Sequence, residues 1–365
     1  MPLSISIQSN IHAYEVTFEE SAEFLRELAT QPRACFVVDE NVWNIYRDTN
    51  LSEFPAGEVI VLPAREDRKN LDTVQELFDQ LVGRTAKRNL TLISCGGGIV
   101  QDVTGFTAST IYRGVHWIYV PTTLLAQADS CIGSKTSLNY KKYKNLVGTF
   151  YPPFHIHIYP GFLASQSESD FRSGFGEVIK LHLMGGEESF HQLRREAAAI
   201  LTREAGALRE AIRRSLNIKL SYMAGDEFDQ GRRNLLNYGH DFGHALESTS
   251  DFAVPHGQAV IFGMLAANLI ARGRGILTEQ IEQDISESLL LPNLVVRPSL
   301  DALDPTAMVN AMKQDKKRIN EDLALIMLTS QFDLLRVNDL TAVEVTAVLE
   351  TLRKLLHSVS TTGIL

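Results

Sequence analysis

The feature that most constrains the fold is a succession of short β-branched runs, each ending in a polar or glycine-rich turn: ACFVVDENV from Ala34, EVIVLPA from Glu58 and LTLISCGGG from Leu90. Continuous apolar runs of this kind suit strands buried on both faces of a parallel sheet. Between the last two, LDTVQELFDQLVGRTAKRN places Leu71, Val74, Leu77, Phe78 and Leu81 on one side of a helix. Strand, helix, strand implies βαβ units, hence a parallel sheet with flanking helices whose ligands gather at the carboxyl ends of the strands.

The pattern changes after YPPFHIHIYPG, a strand bounded by prolines and glycine. From Glu188, ESFHQLRREAAAILTREAGALREAIRRSLNIKLSYMA carries a long helical periodicity. The chain of 365 residues is long enough for two domains. The expected division is an α/β domain over residues 1–160 and a mainly α-helical domain over residues 161–365. Neither an internal repeat nor a low-complexity tract interrupts this plan.

A formal charge of -9 and a pI near 5.6 argue against nucleic acid or an anionic membrane as partner, since both require a basic surface. An anionic small substrate would need a local basic pocket. Cys35, Cys95 and Cys131 are far apart and lack the paired spacing of zinc or redox sites, which suits a reducing cytoplasm. The start, MPLSISIQSNIHAYEV, has no basic stretch followed by an apolar run, so no signal peptide is expected. The longest apolar run, Ala259 to Ala271, is too short to span a bilayer and is expected as a buried helix.

Two strand ends carry candidate ligand-binding turns. Gly96-Gly97-Gly98-Ile99-Val100-Gln101-Asp102 joins an apolar strand to a helix, where glycines allow close backbone approach and free N–H groups face a phosphate. The spacing is not that of the G-x-G-x-x-G fingerprint, and a plain tight turn is the competing reading. A second strand, GVHWIYVP, ends at Thr122-Thr123 and would bring two hydroxyls to the same crevice, or simply cap the next helix.

The second half contains the metal-type residues. His240 and His244 are four apart and share one side of a helix, and His256 follows in VPHGQAV. Single buried histidines are usually hydrogen-bonded core residues, but three this close, each beside a glycine, point to a metal. Glu177 precedes Lys180 by three residues, which alone could be a surface ion pair. Its apolar neighbours Phe175, Val178, Ile179 and Leu181 argue for burial, where a divalent cation would balance the carboxylate. Arg113, Lys135, Lys144, Lys180, Lys219, Arg233 and Lys316-Lys317 interrupt otherwise interior-looking segments and supply the charges a phosphate and carboxylate cage needs.

Taken in order, GGGIVQD (96–102), YRGVHWIYVPTTLLAQADSCIGSKTSLN (112–139), KNLVGTFYPP (144–153), GEVIK (176–180), DEFDQGRRNLLNYGHDFGHALE (226–247), PHGQAV (255–260) and DKK (315–317) resemble the motifs of 3-dehydroquinate synthase and its sugar-phosphate cyclase relatives. The resemblance covers most of the chain. It implies an N-terminal NAD-binding domain and a C-terminal metal- and substrate-binding domain, with Glu177, His240 and His256 as ligands of zinc or cobalt and His244 as an acid–base group. NAD would meet Asp39, Glu66, Lys69, Gly97, Gly98, Asp102, Thr122, Thr123, Lys135 and Lys144. Substrate contacts and catalytic duties would fall to Arg113, Asp129, Lys135, Asn145, Lys180, Lys219, Arg233, Asn237 and Lys316, with Asp229 as proton acceptor where the family more often has glutamate.

The implied chemistry is a phosphorus–oxygen lyase reaction in which NAD oxidises a carbinol, phosphate leaves, hydride returns, and ring opening and aldol closure make the carbocycle. Arg233 and Asn237 match the form that takes 3-deoxy-D-arabino-heptulosonate 7-phosphate to 3-dehydroquinate in the shikimate pathway. The resemblance also implies a cytoplasmic homodimer, with Arg113 reaching across its interface. Departures are Gln101 for a small residue, Ser134 for glycine, Gly176 for alanine, Gln258 for glutamate, and FLASQS at 162–167. Three rival readings remain: a secondary-metabolism cyclase of the amino-dehydroquinate, 2-epi-5-epi-valiolone or 2-deoxy-scyllo-inosose type, a metal-dependent NAD polyol dehydrogenase, and an inactive scaffold.

Overall fold

The computed structural model describes residues 3–84, 88–141, 143–314 and 323–358. The chain divides into two compact units, residues 1–166 with 203–216 and residues 167–202 with 217–365.

The strands of the first unit are β1 (Leu3–Ile7), β2 (Tyr14–Phe18), β3 (Ala34–Asp39), β4 (Val59–Leu62), β5 (Thr91–Gly96), β6 (His116–Pro121), β7 (Lys135–Tyr140), β8 (Tyr143–Phe150) and β9 (His155–Ile158). Seven of them form one sheet in the order β1-β2-β9-β6-β5-β3-β4, parallel throughout except for the antiparallel β1–β2 edge. Every residue of β3 is buried, as is all of β5 after Thr91, which accounts for their unbroken apolar character.

The helices of this unit are α1 (Phe24–Ala29), α2 (Glu40–Tyr46), α3 (Leu71–Gly83) and α4 (Gly98–Thr110). Phe24, Leu25 and Leu28 of α1 join Phe36, Val38, Phe54, Ile93 and Phe162 in a single apolar cluster. In α3, Val74, Leu77 and Leu81 are buried, Phe78 is half-buried and Leu71 is exposed, so the expected face narrows at its start. The Asn70 side chain caps this helix by accepting from Thr73 N at 2.9 Å.

The connectivity creates a ligand-type crevice. The chain leaves β3 for β4 on one side and then crosses to β5 on the other, so the carboxyl ends of β3 and β5 flank the reversal. Asp39 and Gly96 stand at those ends. The antiparallel hairpin β7–β8 packs against α4, where a methyl group on Gly105 would lie 2.8 Å from Cγ2 of Thr136.

The second unit contains α5 (Glu168–Met184), α6 (Glu187–Leu201), part of α7 (Ala205–Met223), α8 (His240–Thr249), α9 (His256–Gly273), α10 (Glu279–Ile285), the single turn α11 (Leu291–Asn293), α12 (Pro305–Lys313) and α13 (Ala342–Ser358). One antiparallel hairpin, β10 (Leu323–Leu328) with β11 (Leu334–Leu340), accompanies them. The long helical pattern after Glu188 is two helices, parted where Arg203 adopts φ 63°.

Helix α9 holds the apolar run expected as a buried helix, and all its residues from Gly257 to Asn268 are buried. Among the described residues no helix is long and apolar enough to cross a membrane. Glycines let α5 and α8 rest almost backbone to backbone on α9. A side chain on Gly257 would overlap the Ser173 carbonyl of α5, and one on Gly263 would overlap the Gly239 carbonyl before α8. Gly239 also has φ 79°, the left-handed turn from which α8 starts.

Candidate functional site

The close approach of α5, α8 and α9 brings Glu177, His240 and His256 together. Their ligand-type atoms all lie within 4.8 Å of one another. Oε1 of Glu177 is 3.1 Å from Nε2 of His256 and 3.5 Å from Nε2 of His240. Each imidazole is oriented from behind. Nδ1 of His240 lies 3.2 Å from the Tyr238 carbonyl, and Nδ1 of His256 lies 3.3 Å from Oε2 of Glu247.

With Nδ1–H as the donor in both rings, each Nε2 is the nitrogen turned toward the Glu177 carboxylate. Once Nε2 of His256 gives up the proton it shares with that carboxylate, the three atoms make a donor set of one oxygen and two nitrogens that fits zinc or a similar cation. His244 is adjacent, its ring centroid 5.2 Å from that of His240 and 6.1 Å from that of His256. His244, Glu247 and His256 form a second group whose ligand atoms lie within 4.8 Å of one another, so His256 belongs to both.

Charge in this cluster is tightly balanced. Glu177 is 1% exposed, and burial alone would raise its pKa, but the Lys180 ammonium 2.6 Å from Oε2 and the His256 ring outweigh burial and hold the carboxyl below its usual range. Burial likewise disfavours charged His256, yet the Glu247 and Glu177 carboxylates overcome it and push the imidazole up to about 10. Two carboxylates therefore draw positive charge to this point, which a bound cation would supply while displacing the proton.

The loop before α8 carries more of the expected residues. The Asp226 carboxylate accepts from the backbone N–H groups of Gln230, Gly231 and Arg233 at 2.7, 2.8 and 2.9 Å. This turn holds Asp229 at φ 60°. The buried Arg233 donates through Nη1 to the Glu227 carbonyl, and Asn237 donates to the Asn234 carbonyl at 2.8 Å. Lys180 and Lys219 are both buried.

In the first unit the nucleotide-type residues form their own network. Nζ of Lys69 is 2.5 Å from Oδ2 of Asp102 and donates to Oδ1 of Asn145 at 2.6 Å. Asp102 also accepts from Ser137 N and Oγ, each at 2.9 Å. Asn139 donates to Oε1 of Glu66 at 2.8 Å, and Nζ of Lys144 lies 3.9 Å from the same oxygen. These bonds fasten the β7–β8 hairpin to α4 and to the turn before α3.

The glycine turn is shorter than its sequence suggests, because α4 begins at Gly98 and takes in Gln101 and Asp102. A methyl group on Gly97 would lie 3.0 Å from Cγ2 of Thr123, whose Oγ1 accepts from Ala126 N at 3.2 Å. Thr122 is buried, and its hydroxyl has no hydrogen-bond partner among the described residues. Asp39 is turned onto its own helix, accepting from Asn41 N at 2.8 Å, and its pKa is raised chiefly by burial. Gln101 exchanges hydrogen bonds with Ser130, its Nε2 donating to the Ser130 carbonyl and its Oε1 accepting from Ser130 Oγ, both at 2.7 Å.

The expected residues thus fall into two groups. Glu177, His240, His244, His256 and Lys180 gather in the second unit, and Glu66, Lys69, Asp102, Lys144 and Asn145 gather in the first. Arg113 and Lys135 are exposed, Asp129 sits on a π-helical turn at Ala126–Ser130, and Lys316 with its neighbours Asp315 and Lys317 lies outside the described residues. The sequence reading missed Glu247, Ser137, Asn139 and the Tyr238 carbonyl. Glu247 stands seven residues after His240 and three after His244, a spacing that shares their helical side and could have drawn it in.

Residues 59–173 match the family model for the 3-dehydroquinate synthase N-terminal region, and residues 174–318 match that for the C-terminal region. The 3-dehydroquinate synthase of Acidithiobacillus ferrooxidans is 38% identical over 327 residues, covering 87% of this chain and 88% of that protein. The chain belongs to the 3-dehydroquinate synthase family. Another family member, from Dehalococcoides mccartyi, is 32% identical over 338 residues, 92% of this chain and 94% of its own. The parallel-sheet and helical architecture of the family also matches the solved 2-epi-5-epi-valiolone synthase of Streptomyces hygroscopicus subsp. jinggangensis 5008, which holds NAD+ and Zn2+. Its TM-score is 0.83 over 96% of this chain and 99% of that one, at 26% identity.

Proposed function

We propose that this family member converts 3-deoxy-D-arabino-heptulosonate 7-phosphate to 3-dehydroquinate with loss of phosphate, using NAD and a divalent cation. The observation that carries the reading is the convergence of one carboxylate and two Nε2 atoms within 4.8 Å, each imidazole fixed by a partner on its Nδ1.

Glu177, His240 and His256 hold the cation, and Lys180 keeps the Glu177 carboxylate ionised for that task. When bound, NAD takes and returns a hydride while the cation polarises the reacting oxygen. His244 and Asp229 move protons beside it. Lys180, Lys219, Arg233, Lys135, Lys316 and Arg113 supply positive charge for the phosphate and carboxylate of the substrate, and Asp129, Asn145 and Asn237 supply hydrogen bonds. Asp39, Glu66, Lys69, Gly97, Gly98, Asp102, Thr122, Thr123, Lys135 and Lys144 hold NAD. The Lys69–Asp102–Ser137–Asn145 network keeps the hairpin in place for both ligands. The same reading places the protein in the cytoplasm as a homodimer, and light scattering on the purified protein tests the latter.

A related cyclase specificity is the second reading, favoured by the TM-score of 0.83 to 2-epi-5-epi-valiolone synthase. Product analysis after incubation with NAD, zinc and each candidate phosphate separates the two. Dehydroquinate from the heptulosonate phosphate is expected, and turnover of sedoheptulose 7-phosphate alone would replace the first reading with the second.

A further inference from the structure

We infer that Gln258 sets the register at which α9 rests on α5, and so aims His256 at Glu177. Gln258 is the third residue of α9 and has no exposed surface. Its carboxamide is fully used. Nε2 donates to the carbonyls of Arg172 at 3.2 Å and Asn293 at 3.0 Å, and Oε1 accepts from the backbone N–H groups of Val295 at 2.8 Å and Val296 at 3.2 Å. Only an uncharged amide presents two donor hydrogens and an acceptor oxygen at once in that space.

The two other groups of the clamp are also engaged. Arg172 donates from Nη1 to Oδ1 of Asn293 at 2.9 Å, and the buried Asn293 donates from Nδ2 to the Leu289 carbonyl at 2.7 Å. One residue earlier in α9, Gly257 N donates to Oγ of Ser173 at 2.9 Å. The first turn of α9 is thereby pinned to positions 172 and 173 of α5. Glu177 follows Ser173 by one helical turn, on the same side of α5. The pinning fixes both ends of the 3.1 Å approach between Glu177 and His256.

A methionine at 258 keeps the length but makes none of the four hydrogen bonds, so the N–H groups of Val295 and Val296 lose their acceptor and the tie to the Arg172 and Asn293 carbonyls is cut. The α9 start would move off α5 to relieve this, carrying His256 with it. The inference rests on the proposed cation site for its consequence, though not for the register itself.

Gln258→Met and Gln258→Leu, both uncharged and without the clamp's hydrogen bonds, are compared with Ile261→Val, a buried change in the same helix that leaves the clamp intact. Hydrogen exchange on the cation-free protein is expected to speed up across 253–262 and 168–178 in both Gln258 variants and to stay at the wild-type rate there in Ile261→Val. Zinc affinity, read by chelator competition on protein that remains folded, is expected to fall at least tenfold in the same two variants only. Unchanged exchange in those segments, or zinc loss no greater than in Ile261→Val, overturns the inference. Should wild-type protein bind no zinc at all, the cation reading fails while exchange still decides the register.

Discussion

Glu247 stands behind His256, with Oε2 3.3 Å from Nδ1 on the side of the ring away from Glu177. Both residues of this pair are tied to α8 and α9, so the carboxylate that orients one candidate ligand is borne by the helix that begins with another, His240. Carboxylates in this position fix the tautomer and raise the basicity of the far nitrogen.

Replacing Glu247 by alanine is therefore expected to weaken zinc binding by about 10- to 100-fold, with a smaller loss for glutamine. Competition against a calibrated chelator measures it. Wild-type affinity in the alanine variant would mean that His256 is oriented by other contacts.

His256→Ala is expected to remove tight zinc binding and phosphate release together. Parallel assays of metal content and turnover check this, and activity near wild type would defeat the ligand assignment.

Lys69→Ala leaves the Asp102 carboxylate with Ser137 but without its ammonium, in a site where the two side chains are only 10% and 15% exposed. Losing one member of so enclosed a pair is expected to cost about 3 kcal/mol of stability. The hairpin should loosen as well, so that the dissociation constant for NAD rises while zinc affinity stays put. Denaturant titration and NAD titration read the two effects separately.

His155 gives a pH signature. Burial, then the neighbouring His157, lowers its pKa from the usual 6.5 to about 4, and Oγ1 of Thr17 lies 2.8 Å from its Nε2. The unfolded chain takes up this proton near 6.5 and the folded chain only near 4. Stability from this group is complete above the higher value and falls as pH drops through the window between them. Thermal melts across that range should show the decline, and His155→Gln should flatten its slope.

Much of the first unit was legible because the central strands β3 and β5, buried on both faces, are largely apolar runs, and because polar, proline or glycine turns bound the partly exposed β4, β6 and β9. ACFVVD, VIVL, TLISCG, HWIYVP and HIHI all appear as β3, β4, β5, β6 and β9. The edge strand β1 escaped notice, since three of its five residues are exposed and only Ile7 is fully buried. The β10 segment LALIML sits among helices and is too short for periodicity to tell strand from helix. For the site, the i,i+4 histidines were visible in sequence. The Gly239 turn, the backbone contact of Gly257 with Ser173 and the bonds of Gln258 arise only when distant segments pack.

The most direct test of the cyclase chemistry follows nicotinamide absorbance while zinc-loaded protein turns over the heptulosonate phosphate with catalytic NAD. Because hydride is returned within each cycle, phosphate release is expected to proceed through many turnovers with no net NADH. NADH accumulating in step with substrate consumption would contradict the cyclase reading and favour a polyol dehydrogenase.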